Sequence, residues 1–385
     1  MTQLHDDLAS ASSRRAAAVA AARLIAASAR RTQQELDVDG AFPAAEVRAL
    51  AEHGLLAAPL PVRWGGAGLL ERDGSKALAL VLSAIGAGSL PLGRLYEGHV
   101  NAIGLILAYG RIEQQEMFAA KSREGHLFAV WNTQREPGVR LAAQGAGWRL
   151  QGAKIFASGA GFVRYPLITA RTEAGDLLMV IPDAANARVD LSQWRAHGMR
   201  ASASGAVDFS DLGVGDDSII GGPDDFHRQP MFSTGAWRFA AVQYGAVASL
   251  FDLARAHLVK ADRAGDPHQL ARLGAAAIAV ETARLWVFEA ATRSHGSGDP
   301  AASVAYVNLA RLAVERAGLE ALELAHRSVG LAAFLRPHPI ERLSRDLATY
   351  LRQPAPDEAL CEAANFLVTS PRPIAEIWEN EDAPD

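Results

Sequence analysis

The spacing of apolar residues divides the chain into three stretches. Between residue 12 and about residue 122, apolar residues recur at the period of an amphipathic helix. The part from Arg14 to Leu36 contains no helix-breaking residue, and Pro43 suits the first turn of a second helix that ends before Gly54. We therefore predict an N-terminal helical domain at residues 1–124.

From about residue 126 to 220 the pattern changes to short alternating runs. Segments such as WRLQG, YPLITARTEAG and AVDFSDL alternate apolar and polar positions, and Gly, Asp, Asn and Pro separate them. This pattern is typical of an antiparallel sandwich or barrel of short strands. It predicts a central β-domain at residues 125–225.

Long helical stretches return from about residue 233 to 368. Turn-forming residues interrupt them at 265–267, 296–300 and 337–339. Long helices joined by short turns indicate an antiparallel bundle, which we place at residues 226–385. Helices followed by strands and then by a bundle make an α+β fold.

Composition and charge exclude several functional classes. The chain has 385 residues, a formal net charge of −5 and one cysteine, Cys361. No basic field for nucleic acid is therefore expected, and the single thiol fits a reducing cytoplasm. No apolar run reaches the roughly 18 residues of a membrane span. The Ala- and Arg-rich residues 10–31 suit a plain helix better than a transit peptide, and the His and Cys spacing predicts no metal site.

The segment GWRLQGAKIFASGAG, residues 147–161, carries the first candidate chemistry. One strand turns at Gly152, and the next strand ends in Phe156-Ala157-Ser158 before a glycine. An aromatic ring and a hydroxyl at a strand end suit a flat heteroaromatic ligand, because the ring covers one face and the hydroxyl bonds the polar edge. Taken by itself, the segment fits an ordinary hairpin with a packed phenylalanine better.

Five segments, taken in order, change this interpretation. They are DGAFPAAEVRALAEHGLLAAPLPVRWGGAGL (39–69), AYGRIEQQEMFAAKSREGHLFA (108–129), GWRLQGAKIFASGA (147–160), HGMRASASGAVDFSDLGV (197–214) and IERLSRDLATY (340–350). Together they resemble the acyl-CoA dehydrogenase family of flavoproteins over nearly the whole chain. The resemblance implies a helical domain, a β-domain and a four-helix bundle, with FAD held between the last two and partly by a neighbouring subunit of a homotetramer or homodimer.

The resemblance also implies roles for individual residues. Thr133 stands where the family has a hydroxyl near the reactive flavin nitrogen, and Phe156 and Ser158 stand where it has a stacked aromatic and a neighbouring hydroxyl. A second set would bind FAD from the bundle, partly across a subunit interface: Arg263, His268, Gln269, Arg327 and Gly330. Arg327 replaces a usual glutamine, and an arginine can also bind phosphate.

Two departures from the family bear on the reaction. The Ala-Gly-Ser-Asp loop expected after Glu136-Pro137 is shortened, which puts CoA recognition in doubt. Dehydrogenases of the family also use a glutamate to remove a substrate proton while the flavin takes a hydride. Its two usual positions are occupied here by Pro354 and Trp237, and neither side chain accepts a proton.

The missing base favours a monooxygenase, since members of that type combine reduced flavin with O₂ and need no such base. Asn132 and the FASGA segment around Ser158 resemble residues that these members carry, and His99 and Asn101 are polar candidates in the helical domain. We predict His99, Asn132 and Ser158 as catalytic residues for a small substrate, with reduced flavin supplied by a flavin reductase.

Two other functions stay open. An acyl-CoA dehydrogenase with a displaced base would use Asp357 or Glu358, act on a CoA thioester and pass electrons to an electron-transfer flavoprotein. Against this, acidic residues simply suit the N-terminus of a helix that begins there. A non-catalytic member of the family would bind a ligand or a partner protein without turnover.

Overall fold

Apolar helices with few breakers form the first third of the chain. The computed structural model describes residues 2–145, 147–296 and 298–379. Its first five helices are α1 (Thr2–Thr32), α2 (Ala44–Glu52), α3 (Ser75–Gly88), α4 (Leu90–Tyr109) and α5 (Ile112–Arg123). Ser89 caps α4 by accepting a hydrogen bond from the Leu92 N–H at 3.3 Å, and Pro91 occupies the first turn, where its missing N–H costs nothing.

The middle of the chain forms ten strands, as its alternating pattern predicts. They are β1 (Phe128–Trp131), β2 (Arg140–Gln144), β3 (Gly147–Gln151), β4 (Ala153–Ala157), β5 (Tyr165–Thr172), β6 (Leu177–Val180), β7 (Arg188–Asp190), β8 (Gly205–Asp208), β9 (Gly213–Val214) and β10 (Ile219–Ile220). Seven of them form one sheet, in the order β10-β6-β5-β2-β3-β9 with β1 beside β5, and β4-β8-β7 form a second.

Most strand pairs are antiparallel, but β5 pairs in parallel with both β1 and β2. Parallel neighbours need a long connection between them, because a short hairpin can only reverse the chain. Residues 132–164 connect β1 to β5 through β2, β3 and β4, and β3 and β4 lie in the connection from β2 to β5. The alternating pattern does not reveal this, since it fixes which face a residue occupies and not which strand lies beside it.

The last third of the chain returns to helices. They are α6 (Met231–Thr234), α7 (Trp237–Lys260), α8 (Pro267–Arg293), α9 (Pro300–Val329), α10 (Pro339–Tyr350), α11 (Pro356–Thr369) and α12 (Ile374–Ile377). The predicted interruptions lie between α7 and α8, between α8 and α9, and before α10. At two of them an aspartate, Asp266 or Asp299, caps a helix whose first turn begins with proline.

Two of the sequence segments that carry the resemblance touch directly. The N–H of Met199 donates to Asp346 Oδ1 at 2.6 Å, and the N–H of Gly198 donates to Thr349 Oγ1 at 3.0 Å. A Cβ at Gly198 would lie 2.1 Å from the Arg345 carbonyl oxygen, so only glycine allows this approach. The contact joins the β-domain to α10.

Asp37 adds a third partner to this junction. Its carboxylate lies 2.5 Å from Arg345 and 3.4 Å from Arg200. Burial alone would raise the pKa of Asp37, but the hydrogen bond and charge of Arg345, helped by Arg200, hold it below the ordinary value. One ion-pair network therefore ties residues of the helical domain, the β-domain and the bundle together.

The observed architecture confirms the predicted α+β fold. One large buried cluster runs from α1 and α3 through the sheets into α7, α8 and α9. No helix in the described ranges has both the length and the apolar character needed to span a bilayer.

Candidate functional site

A bulge in β4 sets the position of Phe156. Lys154 pairs with Val207 of β8 and Ala157 pairs with Gly205, so β4 contains one more residue than its partner over this step. Phe156 has a φ of 54°, which is unusual for a residue with a Cβ, and its side chain is 55% exposed. Its ring lies edge-on to Trp194 with centroids 5.9 Å apart. The bulge thus turns a large aromatic face toward open space.

Ser158 is buried at the end of the same strand. Its Oγ accepts hydrogen bonds from Arg94 Nε at 3.3 Å and from Ser204 Oγ at 3.2 Å, and its carbonyl accepts one from Trp131 Nε1 at 3.0 Å. Arg94 belongs to α4, so this hydroxyl lies where the helical domain meets the β-domain.

Asn132 and Thr133 follow β1 and lie beside β4. Thr133 accepts a backbone hydrogen bond from Ile155 at 2.9 Å, and Asn132 Oδ1 accepts one from Thr169 Oγ1 at 2.5 Å. Both residues are exposed. The structure therefore brings Asn132, Thr133 and Phe156 to neighbouring backbone positions.

A buried lysine that the sequence analysis did not single out fixes this arrangement. Lys154 Nζ donates to the Asn132 carbonyl at 3.1 Å, to Gln134 Oε1 at 2.5 Å and to Thr169 Oγ1 at 2.9 Å. All three acceptors are neutral, and burial lowers the pKa of Lys154 to about 7. Gln134 also accepts from the N–H of Val139, and so closes the shortened loop before β2.

The prediction that His99 is catalytic does not fit its placement. His99 is fully buried; its Nε2 lies 2.7 Å from the Leu56 carbonyl, and its Nδ1 accepts from the Phe128 N–H at 3.1 Å. Both ring nitrogens are thus used by the backbone, and burial lowers the pKa of His99 to about 4. A polar residue in an apolar helix can serve packing as well as chemistry, and His99 joins α4 to β1.

The polar residues of α4 that face the junction are instead Arg94, Glu97 and Asn101. Glu97 is buried and accepts hydrogen bonds from Arg94, from Asn101 Nδ2 at 2.5 Å and from the Tyr350 hydroxyl at 3.3 Å. Asn101 Oδ1 in turn accepts from an Arg238 guanidinium nitrogen at 2.8 Å. Their spacing of three and four residues places them on one helix face, a signal that is present in the sequence.

Two residues of the predicted bundle set come together at the turn between α7 and α8. In the amide orientation that satisfies both of its groups, Gln269 accepts from Arg263 at 2.7 Å and from Arg272 at 3.1 Å, and donates to Ser328 Oγ at 3.1 Å. Ser328 lies next to Arg327 at the end of α9. The side chain of His268 is exposed at the start of α8.

Arg327 and Gly330 mark the end of α9. Arg327 is exposed and pairs with Glu323 at 2.7 Å. Gly330 has φ 75° and ψ −150°, a conformation essentially restricted to glycine, and a Cβ there would meet no atom within 4 Å. The chain thus leaves open space beside an exposed backbone segment at this point.

The structure also describes the two positions at which the family usually has its catalytic base and the two candidates for a displaced base. Pro354 is exposed between α10 and α11, and Trp237 is fully buried at the start of α7. Asp357 and Glu358 lie exposed in the first turn of α11, where carboxylates favour the helix dipole. Both candidate bases are exposed, whereas Ser158 is buried.

Two family profiles match the chain and identify its family. The Acyl-CoA dehydrogenase N-terminal domain matches residues 12–126, and the Acyl-CoA dehydrogenase C-terminal domain matches residues 228–351. Together these matches cover more than half of the chain. The chain belongs to the acyl-CoA dehydrogenase family. It is accordingly a flavin-dependent oxidoreductase.

Relatives within the family differ in their reactions. The chain is 26% identical to 3-sulfinopropanoyl-CoA desulfinase of Paraburkholderia xenovorans, over 81% of this chain and 84% of the relative. It is 25% identical to the mitochondrial short-chain specific acyl-CoA dehydrogenase of Bos taurus, over 81% and 79%. The FMN-bound structure of TdsC, a dibenzothiophene monooxygenase from Paenibacillus sp. A11-2, superposes with a TM-score of 0.82 at 20% identity, over 94% and 100%.

The geometry fits a flavin cofactor. Phe156 offers an exposed ring at a strained bulge, and Gly330 leaves open space at a helix end where only glycine fits. No group of three or more His, Cys, Asp or Glu side chains that suits a metal ion occurs in the described part of the chain.

Proposed function

We propose that this protein is a flavin-dependent monooxygenase that acts on a small substrate. The observation that carries the proposal is the presence of Pro354 and Trp237, which the resemblance aligns with the two positions of the family's proton-accepting glutamate. Without a base, general-base catalysis worth about 10²-fold to 10⁴-fold is lost. Oxygen insertion needs no such group.

Glu97, a carboxylate buried beside Arg94 on α4, does not readily replace the base. Its two oxygens already accept hydrogen bonds from Arg94, Asn101 and Tyr350. To abstract a proton it would have to give up at least one of these bonds, and the Tyr350 hydroxyl is itself buried. We assign Glu97 the role of holding Arg94 and Asn101 in place.

The residues at the junction have distinct roles in this proposal. The Phe156 ring covers one face of the flavin, while Asn132 and Thr133 border its polar edge. The Ser158 hydroxyl, held by Arg94 and Ser204, orients the substrate at the domain boundary. Reduced flavin supplies the electrons that activate O₂. The buried surroundings of Ser158 and Trp131 exclude water from the reacting atoms.

We assign FAD, rather than FMN, as the cofactor. The polar group at the end of α9, formed by Arg263, Gln269 and Ser328, lies on the bundle and would hold the adenylate half that FMN lacks. The FMN-bound TdsC neighbour is the reason to test this assignment. FAD should bind at least about tenfold more tightly than FMN, and Arg263→Gln should weaken FAD alone, since a charged hydrogen bond contributes roughly 1.5–3 kcal/mol.

The assembly we propose is a cytoplasmic homotetramer or homodimer served by a flavin reductase. Apolar side chains are exposed along α8 and in the turn after α9: Leu270, Ile278, Leu285, Leu331, Phe334 and Leu335. Several exposed apolar side chains on neighbouring elements are typical of a subunit interface. In the sequence they lie beside His268, Arg327 and Gly330, so a neighbouring copy could share the flavin. Light scattering of the purified protein tests this arrangement.

The proposed reaction is tested by mixing the flavin-loaded protein anaerobically with a series of acyl-CoA thioesters. We expect the flavin to stay oxidised, because Pro354 and Trp237 cannot remove the α-proton. Rapid bleaching by any thioester would support the dehydrogenase with a displaced base instead. A purified protein that is colourless and binds no flavin on titration would favour the non-catalytic alternative and refute both reactions.

A further inference from the structure

The polar face of α4 continues from Ser158 to the first turn of α7. Arg94 bonds both Ser158 and Glu97, Asn101 bonds Glu97, and Arg238 bonds Asn101. These side chains make a continuous polar strip, defined here as Ser158, Arg94, Glu97, Asn101 and Arg238. It crosses the junction of the helical domain, the β-domain and the bundle.

The strip carries more positive than negative charge. It contains two guanidinium groups, Arg94 and Arg238, and one carboxylate, Glu97. Both oxygens of Glu97 are occupied by Arg94, Asn101 and Tyr350, so Arg238 has only the neutral amide oxygen of Asn101 as a partner. Arg238 is only 6% exposed. Burying a cation is costly, and the single carboxylate Glu97, whose charge acts on both arginines, leaves the strip one negative charge short.

Buried nitrogen atoms without hydrogen-bond partners lie close to the guanidinium group of Arg238. Among the described residues, Arg238 Nε and the neighbouring Trp237 Nε1 are both buried and have no hydrogen-bond partner. The Nε2 of His295, whose ring is close enough to feel the charge of Arg238, is a third buried nitrogen without a hydrogen-bond partner. An unsatisfied buried N–H group is costly, and an oxyanion with several lone pairs would satisfy the N–H groups of Arg238 and Trp237.

Two glycines of α4 beside Arg238 have space for an added methyl group. A Cβ placed on Gly104 would come no nearer than 4.0 Å to the two terminal guanidinium nitrogens of Arg238 and 3.8 Å to Leu70. A Cβ on Gly98, on the other side of Asn101, would find only the Ala129 Cα at 4.0 Å. Glycine at both positions keeps the surface of α4 free of side chains along the strip.

We propose that the strip is a substrate subsite for an organic monoanion, a carboxylate or sulfinate, whose charged group binds Arg238 while its reacting end lies at Ser158. The proposal rests on the flavin reaction proposed above and names the class of substrate for it. The anion supplies the missing negative charge and accepts from Arg238 Nε and Trp237 Nε1. Its chain lies along the glycine-lined face of α4.

The test compares matched charged and neutral ligands on the flavin-loaded protein. Butanoate, propanesulfinate and butanamide are titrated by calorimetry, with sodium chloride as a further ligand. We expect either organic anion to bind at least about tenfold more tightly than the amide, since charge-assisted hydrogen bonds contribute roughly 1.5–3 kcal/mol. Equal binding of anion and amide, or binding of chloride alone, would overturn the proposal.

Variants of Arg238 locate the binding site. Arg238→Gln should weaken the organic anions about tenfold or more and leave the amide unchanged, and Arg238→Lys should restore part of the loss. Arg228→Gln, at an exposed arginine paired with Asp225, is the matched control and should bind as the parent does. Unchanged anion affinity in a folded Arg238→Gln would refute the assignment.

If the Arg238 variants fail to fold, measurements on the parent protein alone still test the proposal. Its preference for anion over amide needs no substitution. Failure of the parent to bind flavin would refute the proposed reaction, whereas flavin binding without anion preference would refute only the subsite.

Discussion

Arg94 Nε of α4 donates a hydrogen bond to Ser158 Oγ at the end of β4, at 3.3 Å. The two residues are 64 positions apart and belong to different domains. Since Arg94 also pairs with the buried Glu97, the hydroxyl at the strand end is connected to a charged network rather than to solvent. This hydrogen bond connects the strand end that holds Ser158 to the helical domain.

The exposed ring of Phe156 provides the first prediction. Phe156→Ala should weaken flavin binding about tenfold, because an aromatic stack contributes roughly 0.5–1.5 kcal/mol beyond the buried area. Fluorescence titration of the apoprotein with flavin measures the effect. Phe232→Ala, at a similarly exposed phenylalanine of α6, should leave the affinity unchanged. Equal affinities for the two variants would show that Phe156 does not contact the cofactor.

The backbone at Gly330 provides the second prediction. Gly330→Ala should lower the free energy of unfolding by roughly 1–3 kcal/mol, because its φ of 75° and ψ of −150° strain any residue with a Cβ. Gly215→Ala is the matched control: this exposed glycine has an extended backbone, with φ −90° and ψ 172°, and no atom within 4 Å of the added Cβ. It should be more stable by about 0.4–1 kcal/mol, because alanine restricts the unfolded chain. Urea unfolding distinguishes the two, and a neutral Gly330→Ala would contradict the assigned conformation.

The buried amine of Lys154 provides the third prediction, a dependence of stability on pH. Its pKa falls from an ordinary 10.5 to about 7 on folding. Between these values the unfolded chain binds a proton that the folded chain does not, so this residue makes stability rise with pH from about 7 to 10.5. Lys154→Met should flatten that rise in urea unfolding at several pH values.

The control for this experiment is Lys260→Met, at an exposed lysine that ends α7. It should keep the pH dependence of the parent. An unaltered slope in Lys154→Met would mean that the amine keeps its proton in the folded protein.

The carboxylates of α11 provide the fourth prediction. Asp357→Asn combined with Glu358→Gln should leave flavin reduction and turnover unchanged, because both side chains are exposed, whereas Ser158 is buried. The only expected cost is a loss of stability of roughly 0.3–1 kcal/mol per charge at the helix N-terminus. Turnover that falls a hundredfold in the double variant would revive the displaced base.

The order of the domains and several local features follow from the sequence. Apolar periodicity predicts the long helices and short strands, and turn residues such as Asp266-Pro267 and Asp299-Pro300 place the helix starts where they are observed. The GMR and RD segments mark a real contact, because Gly198 must be glycine to approach Arg345. These features are local or depend on a single residue type, which is why the sequence reveals them.

The remaining features of the fold and of the candidate site depend on contacts between residues that are far apart in the sequence. Arg238 meets Asn101 across 137 positions, and periodicity gives the face of a helix without naming what lies opposite. His99 illustrates the converse, since a histidine in an apolar helix has the same sequence signature whether it is catalytic or bonded to the backbone. The left-handed backbone conformation of Phe156 cannot be predicted from the sequence either, because it comes from a bulge in the pairing of β4 with β8.

The central claim is that reduced flavin in this protein passes oxygen to a substrate. It is tested most directly by supplying reduced flavin and O₂ labelled with heavy oxygen, with sulfides, sulfinates and amines as substrates, and analysing the products by mass spectrometry. We expect one labelled oxygen atom per product molecule, and none when the flavin is left oxidised. Unlabelled products throughout, together with bleaching of the oxidised flavin by an acyl-CoA, would contradict it.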